Sequence, residues 1–170
     1  DDSVPSFIST KFAHFNDSQR RAVGLSFSRR LSLIQGPPGT GGTEAATAIL
    51  AAHAHLGERA VGCATSNAAL DRLCMSLLSK SIPIVRYGRD VTAHVASTIS
   101  KHAPECAMEQ ELLADDWRTR GTKSWKKHVN GKLEAACSKL STVTMSTTSN
   151  VASRGFKASR SFNFALIDEA

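Results

Sequence analysis

The stretch "LSLIQGPPGTGGTEAATAIL", residues 31–50, constrains this 170-residue chain more than any other. A short apolar run (31–35) enters a turn made of Gly36, Pro37, Pro38, Gly39, Thr40, Gly41, Gly42 and Thr43, and an alanine-rich, helix-forming segment leaves it. Glycines let successive backbone N–H groups close around an anion, and a helix that starts at the turn adds the positive end of its dipole. The pattern predicts a strand, a phosphate-binding loop and a helix, with the Thr43 hydroxyl placed to hold a magnesium ion beside the terminal phosphates of a nucleotide. One residue departs from this chemistry. Position 42, where a lysine ammonium would reach those phosphates and neutralise charge that builds in the transition state, is glycine. The loop is therefore expected to bind nucleotide weakly and to support very slow hydrolysis. Taken alone, it also admits a plain strand-to-helix turn with no ligand.

Apolar runs of strand length recur at "LSLIQ" (31–35), "AVGCA" (60–64), "IPIVRY" (82–87), "STVTMS" (141–146) and "FNFALID" (162–168). Between them, residues 16–28, 44–56 and 67–80 space their apolar side chains at three or four, as helices do. Such an alternation predicts an α/β fold in three layers, a parallel sheet covered on both faces by helices, with ligands at the carboxyl ends of the strands. The Ser/Thr density of residues 141–149 is high for a core strand. Residues 90–139 break the rhythm with charged helical stretches interrupted at Pro104, Gly121 and Asn130-Gly131, and read as a helical insertion. Within it Arg118, Arg120, Lys123, Lys126 and Lys127 accompany Trp117 and Trp125. That cluster fits either a solvated helical face or a surface that grips a nucleic-acid backbone and stacks bases.

A hydrophobic content of 41% suits one soluble globular domain, and a formal charge of +6 favours polyanionic partners without requiring them. The four cysteines, Cys63, Cys74, Cys106 and Cys137, lie far apart and form no CxxC pair, so neither a zinc site nor a disulfide framework is signalled. A reducing intracellular compartment, cytoplasmic or nuclear, is the expectation. No apolar run approaches the roughly 18 residues that a membrane span needs. The sequence starts at Asp1 without a methionine and stops just after an apolar strand, and so reads as a piece of a longer protein.

Six stretches stand in a telling order: "FNDSQRRAV" (15–23), "LIQGPPGTGGT" (33–43), "GCATSNAALDRL" (62–73), "IVRYG" (84–88), "STVTMSTTS" (141–149) and "FALIDEA" (164–170). Together they resemble the first RecA-like domain of superfamily 1 helicases, most closely the regulator of nonsense transcripts, or up-frameshift, group. The resemblance covers most of the chain apart from its first residues and segment 90–139. It implies a RecA-like P-loop NTPase fold over residues 1–170, ATP and Mg2+ as cofactors, single-stranded RNA or DNA as partner, and a second RecA-like domain in the full-length chain.

By the same resemblance Gln19 reads the adenine edge, while its spacing from Asn16 equally makes a helix capping box. Gly36 through Thr43 would line the phosphates. Ser66 and Asn67 match a motif that contacts the nucleic-acid backbone, although either also suits the cap of the following helix. Thr147 matches a further strand-contacting position, with Thr144 and Ser146 where the family has small apolar residues. Asp168 would hold the magnesium ion, and Glu169 would orient and deprotonate the attacking water. Arg86 and Gly88 match the family's R-x-G stretch, for which a structural salt bridge is expected. Two functions follow as expectations. One is the ATP-binding first domain of an ATP-dependent helicase with a crippled loop, inactive without the arginines of the second domain. The other is a catalytically inactive helicase-like module that binds single-stranded nucleic acid or a protein partner.

Overall fold

A computed structural model describes residues 3–87, 143–151 and 161–168. In chain order these form α1 (Ser3–Lys11), α2 (Asp17–Ser28), α3 (Gly42–His55), β1 (Ala60–Ala64), α4 (Asn67–Ser79), β2 (Ile84–Tyr87), β3 (Val143–Thr147), the short α5 (Thr148–Val151) and β4 (Phe164–Asp168). The insertion expected at 90–139, with its tryptophans and basic cluster, lies outside the described residues, as does Glu169.

The four strands lie in the order β2-β3-β1-β4, and every neighbouring pair is parallel. All carboxyl ends therefore share one edge, and the register sets Ala64 opposite both Thr147 and Asp168. Central strands β1 and β3 are buried along their whole length, as in a sheet covered on both faces. Thr144 and Ser146 are part of that buried strand despite their hydroxyls, and Ser146 Oγ donates to the Thr147 carbonyl at 3.4 Å. The polar composition of 141–149 is thus compatible with a core position, since buried hydroxyls can be satisfied by the backbone.

Helix α3 is buried around its circumference from residue 45 to residue 53, which its run of alanines permits. Closeness to the sheet is set by Gly62 on β1. A Cβ there would lie 2.7 Å from Met145 Sδ and 2.9 Å from Leu50 Cδ1, so a larger residue would make those side chains shift. Helix α4 starts at Ser66, whose Oγ accepts from the Ala69 N–H, and buries Leu70, Leu73, Leu77 and Leu78 on one side. Each fully buried leucine contributes about 1.5–3 kcal/mol of transfer free energy. Ile8 of α1, Phe12 and Phe15 of the segment between α1 and α2, and Val23 of α2 join the same core. Helix α1 has no counterpart among the expected elements, because its apolar spacing is too short to stand out in the sequence.

His53, in the last turn of α3, joins three elements. Its ring stacks on Phe27 of α2 at 4.2 Å and on Phe164 of β4 at 3.7 Å between centroids. Its Nδ1 pairs with the Glu58 carboxylate, and Nε2 lies 3.2 Å from Ser26 Oγ. Ser26 in turn donates to the Val23 carbonyl at 2.7 Å, so this serine is part of the helix's own hydrogen bonding.

One expected strand is absent from the sheet. Residues 31–35 carry no strand pairing, and Leu31 and Leu33 are 79% and 90% exposed. Strand β4 is a sheet edge among the described residues, with Ala165 and Ile167 exposed on one face. An apolar run becomes a strand only when a neighbour offers its backbone, and no described strand reaches residues 31–35. No helix among the described residues is long and apolar enough to cross a membrane.

Candidate functional site

The phosphate loop is shaped by two glycines in the left-handed region, Gly39 at φ 81° and Gly41 at φ 87°. Between them Thr40 folds back, its N–H and hydroxyl both donating to the Pro37 carbonyl at 3.2 and 2.7 Å. Gly41 is the N-cap of α3, and its carbonyl accepts from Ala45 N–H at 2.9 Å, which starts the helix. The first N–H groups of α3, at residues 42–44, have no acceptor within the helix, so the loop ends on a cluster of donors at the positive end of the dipole. Residues 36–40, 42 and 43 are exposed.

Gln19 touches this loop directly. Its Nε2 donates to the Thr40 carbonyl at 3.2 Å, while its Oε1 accepts from Asn16 N–H at 3.0 Å and Asn16 Oδ1 accepts from Gln19 N–H at 2.9 Å. The capping box is formed, and both ends of the Gln19 amide are engaged. A Cβ at Gly41 would come within 2.6 Å of Gln19 Nε2, so this contact also depends on glycine. At Gly42 the situation is reversed: a Cβ would meet nothing within 4 Å, and its φ lies outside the left-handed region.

A ring contact relates the direction of α3 to that of β4. His53 stacks on Phe164, so the carboxyl end of α3 lies at the amino end of β4. The helix rises about 15 Å from His53 back to Thr43, and β4 rises about 13 Å from Phe164 to Asp168. Thr43 in the first turn of α3 and Asp168 at the carboxyl end of β4 each lie at the end of their element away from the His53–Phe164 contact. A further contact holds α3 in place: His14 Nε2 pairs with Glu44 Oε1 at 2.7 Å and ties the start of α3 to the segment before α2.

Ser66, Asn67 and Thr147 share the sheet's carboxyl edge through the register of β1 with β3. Ser66 is exposed and caps α4. Asn67 is half-buried, and its Oδ1 accepts from Arg86 Nη2 at 2.8 Å. Thr147 is buried, and its hydroxyl lies 3.2 Å from Ser149 Oγ, which leaves Ser149 as the exposed hydroxyl at the end of β3. Arg86 itself is fully buried and forms a salt bridge from Nε to Asp71 Oδ1 at 3.3 Å, in line with the structural role expected for it. Sequence reasoning missed Asp71; its i, i+4 spacing from Asn67 on a helix start was the available signal. Among the described residues no group of three or more His, Cys, Asp or Glu is arranged as a metal site.

Residues 14–140 match the family model described as an AAA domain. The chain is 39% identical over 101 residues to ATP-dependent helicase NAM7 of Saccharomyces cerevisiae, a match that covers 57% of this chain and 10% of that protein. It is 42% identical over 74 residues to DNA polymerase alpha-associated DNA helicase A of Schizosaccharomyces pombe, covering 43% and 11% of the two chains. A third relative, a Regulator of nonsense transcripts 1 homolog of Neurospora crassa, is 38% identical over 86 residues, covering 50% and 8%. The chain thus spans about a tenth of the length of the curated relatives it matches.

Proposed function

Because the chain belongs to the AAA domain family, on the superfamily 1 branch of the nonsense-transcript regulators, we propose that it is the ATP-binding first RecA-like domain of an ATP-dependent helicase acting on single-stranded RNA or DNA, with a phosphate loop that binds nucleotide weakly and hydrolyses it very slowly. The observation that carries this reading is the loop itself: two left-handed glycines lead into the start of α3, whose first N–H groups have no acceptor within the helix.

In this reading the N–H groups of the loop and of the first turn of α3 donate to phosphate oxygens, and the helix dipole adds to their field. Thr43 and Asp168 would hold Mg2+, which supplies charge neutralisation between the outer phosphates when bound. Glu169 keeps the role that the resemblance gives it, taking a proton from the attacking water. Gln19 uses one amide N–H on Thr40 and one acceptor site on Asn16, so its second N–H and second lone pair keep the donor and acceptor that an adenine edge asks for. What the site lacks is a cation at position 42. A missing charge-assisted hydrogen bond weakens binding by about 1.5–3 kcal/mol, and a missing donor to developing charge slows reaction about 100- to 1,000-fold.

The open space at Gly42 makes the reading testable, since a Cβ there would meet nothing within 4 Å. Titration of the Gly42→Lys variant with a fluorescent ATP analogue and Mg2+ should give binding about tenfold or more tighter than the parent chain. An unchanged affinity with an intact thermal transition would sink the proposal. The glycine also favours a second reading, a binding module that grips single strands without turnover. Strand affinity that ignores nucleotide in both the parent and the Gly42→Lys variant would support it over the first.

A further inference from the structure

Helices α2 and α3 each carry a side chain that can cap from the same place, the third residue of the first turn, and the two behave differently. In α2 the Oε1 of Gln19 accepts from the N-cap Asn16 N–H at 3.0 Å. In α3 the equivalent residue is Glu44, yet its carboxylate pairs with His14 Nε2 at 2.7 Å rather than with the N-cap Gly41 N–H. Among the described residues His14 is the hydrogen-bonding partner of that carboxylate. Glu44 is also the only ionisable side chain in residues 36–44, because glycine stands at position 42 where a lysine would give the loop a cation. We infer that His14 is a positioning residue for nucleotide binding, one that keeps the Glu44 carboxylate from occupying the N–H donors that phosphate oxygens need.

An ionised carboxylate only accepts, so the ring nitrogen of His14 that it meets carries the hydrogen. Without that donor, two attractions draw a first-turn carboxylate to the start of its own helix: the positive end of the dipole, and N–H groups that have no acceptor within the helix. A capping box uses this same reach, from the third position back to the N-cap N–H. Those are the donors that the loop offers to phosphate, so carboxylate and ligand compete for them, and as like charges they also repel. A lysine at position 42 would offset the carboxylate, but no side chain of this loop does so. His14 belongs to the same segment as Gln19, whose Nε2 donates to the Thr40 carbonyl at 3.2 Å. Residues 14–19 thus hold both the loop and the first acid of α3. The inference rests on the reading that the loop binds the phosphates of a nucleotide.

Titration of the 170-residue chain with a fluorescent ATP analogue and Mg2+, in the parent and in the Gly42→Lys variant, tests it. Residues 42 and 44 do not face each other on a helix, so the added lysine tightens binding without taking the place of His14. In either background His14→Ala should lose about threefold or more in affinity while its melting temperature holds or rises, since an exposed pair adds little to stability and the freed carboxylate caps the helix. Glu44→Gln should bind at least as tightly as its parent, and adding His14→Ala to it should lose nothing further. A strap that merely shaped the loop would be broken by either substitution alike. Parent-like binding by His14→Ala therefore overturns the inference, as does a loss from Glu44→Gln, or an equal loss from His14→Ala with and without the Glu44 carboxylate. Should His14→Ala fail to fold, His14→Phe decides in its place, because it keeps a ring against Phe15 and removes only the N–H. The underlying reading fails separately, and takes the inference with it, if neither the parent nor Gly42→Lys binds the analogue.

Discussion

Gly41 and Gly42 are adjacent and identical in the sequence, yet they differ in what they tolerate. Gly41 has a left-handed φ and touches Gln19, so Gly41→Ala should cost about 1–2 kcal/mol from the backbone alone. Gly42 opens α3 with free space around it, so Gly42→Ala should be neutral or stabilising by up to about 1 kcal/mol. Urea denaturation of the two variants checks the contrast; equal losses would mean that the loop needs glycine at both positions. Spacing marked this pair as a phosphate loop with its cation missing. The difference between them lies in a dihedral angle and a 2.6 Å approach, which one-dimensional patterns do not encode. Gln19 shows the same division: its distance from Asn16 made the capping box legible, but the bond to Thr40 required the fold.

At the scale of elements, the helix starts and the central strands were the readable parts. Ser66 and Asn16 cap the helices that their positions announced, and the run "AVGCA" coincides with β1. Residues 31–35 mark the limit. Their composition is that of a strand, but strand formation needs a partner's backbone and they have none among the described residues. Leu31, Leu33 and Ile34 are left in solvent, together with Ile167 on the bare face of β4. Apolar surface of this kind binds hydrophobic dyes and drives association. Leu33→Ser should therefore lower dye fluorescence and raise solubility with little change in the thermal transition; a large drop in melting temperature would show that the segment is packed after all. Packing between elements sets the opposite expectation for Gly62, where Gly62→Ala should cost about 1–3 kcal/mol by forcing Met145 and Leu50 apart.

For the molecule as a whole, burial of two thiols gives stability a dependence on pH. Burial pushes Cys63 up to about 11 and Cys74 to about 12, from an ordinary value of 9.0. Between pH 9 and those values the unfolded chain has released protons that the folded chain keeps, so stability is level below 9 and falls as pH rises above it. One such thiol accounts for a slope of up to about 1.4 kcal/mol per pH unit in that window. Denaturation midpoints of the parent and of Cys74→Ala, compared from neutral pH upward, should converge above 9; parallel curves would refute the assignment. The sequence by itself determined the α/β alternation, the parallel sheet and the glycine-rich turn that opens α3, because hydrophobic period and glycine spacing are local properties of a chain. Only the tertiary structure decided that residues 31–35 stay outside the sheet, that Arg86 bridges Asn67 and Asp71, and that Asp168 lies in register with Ala64 and Thr147. Those outcomes depend on strand order and on which backbones find neighbours, and such relations exist only once distant segments have met.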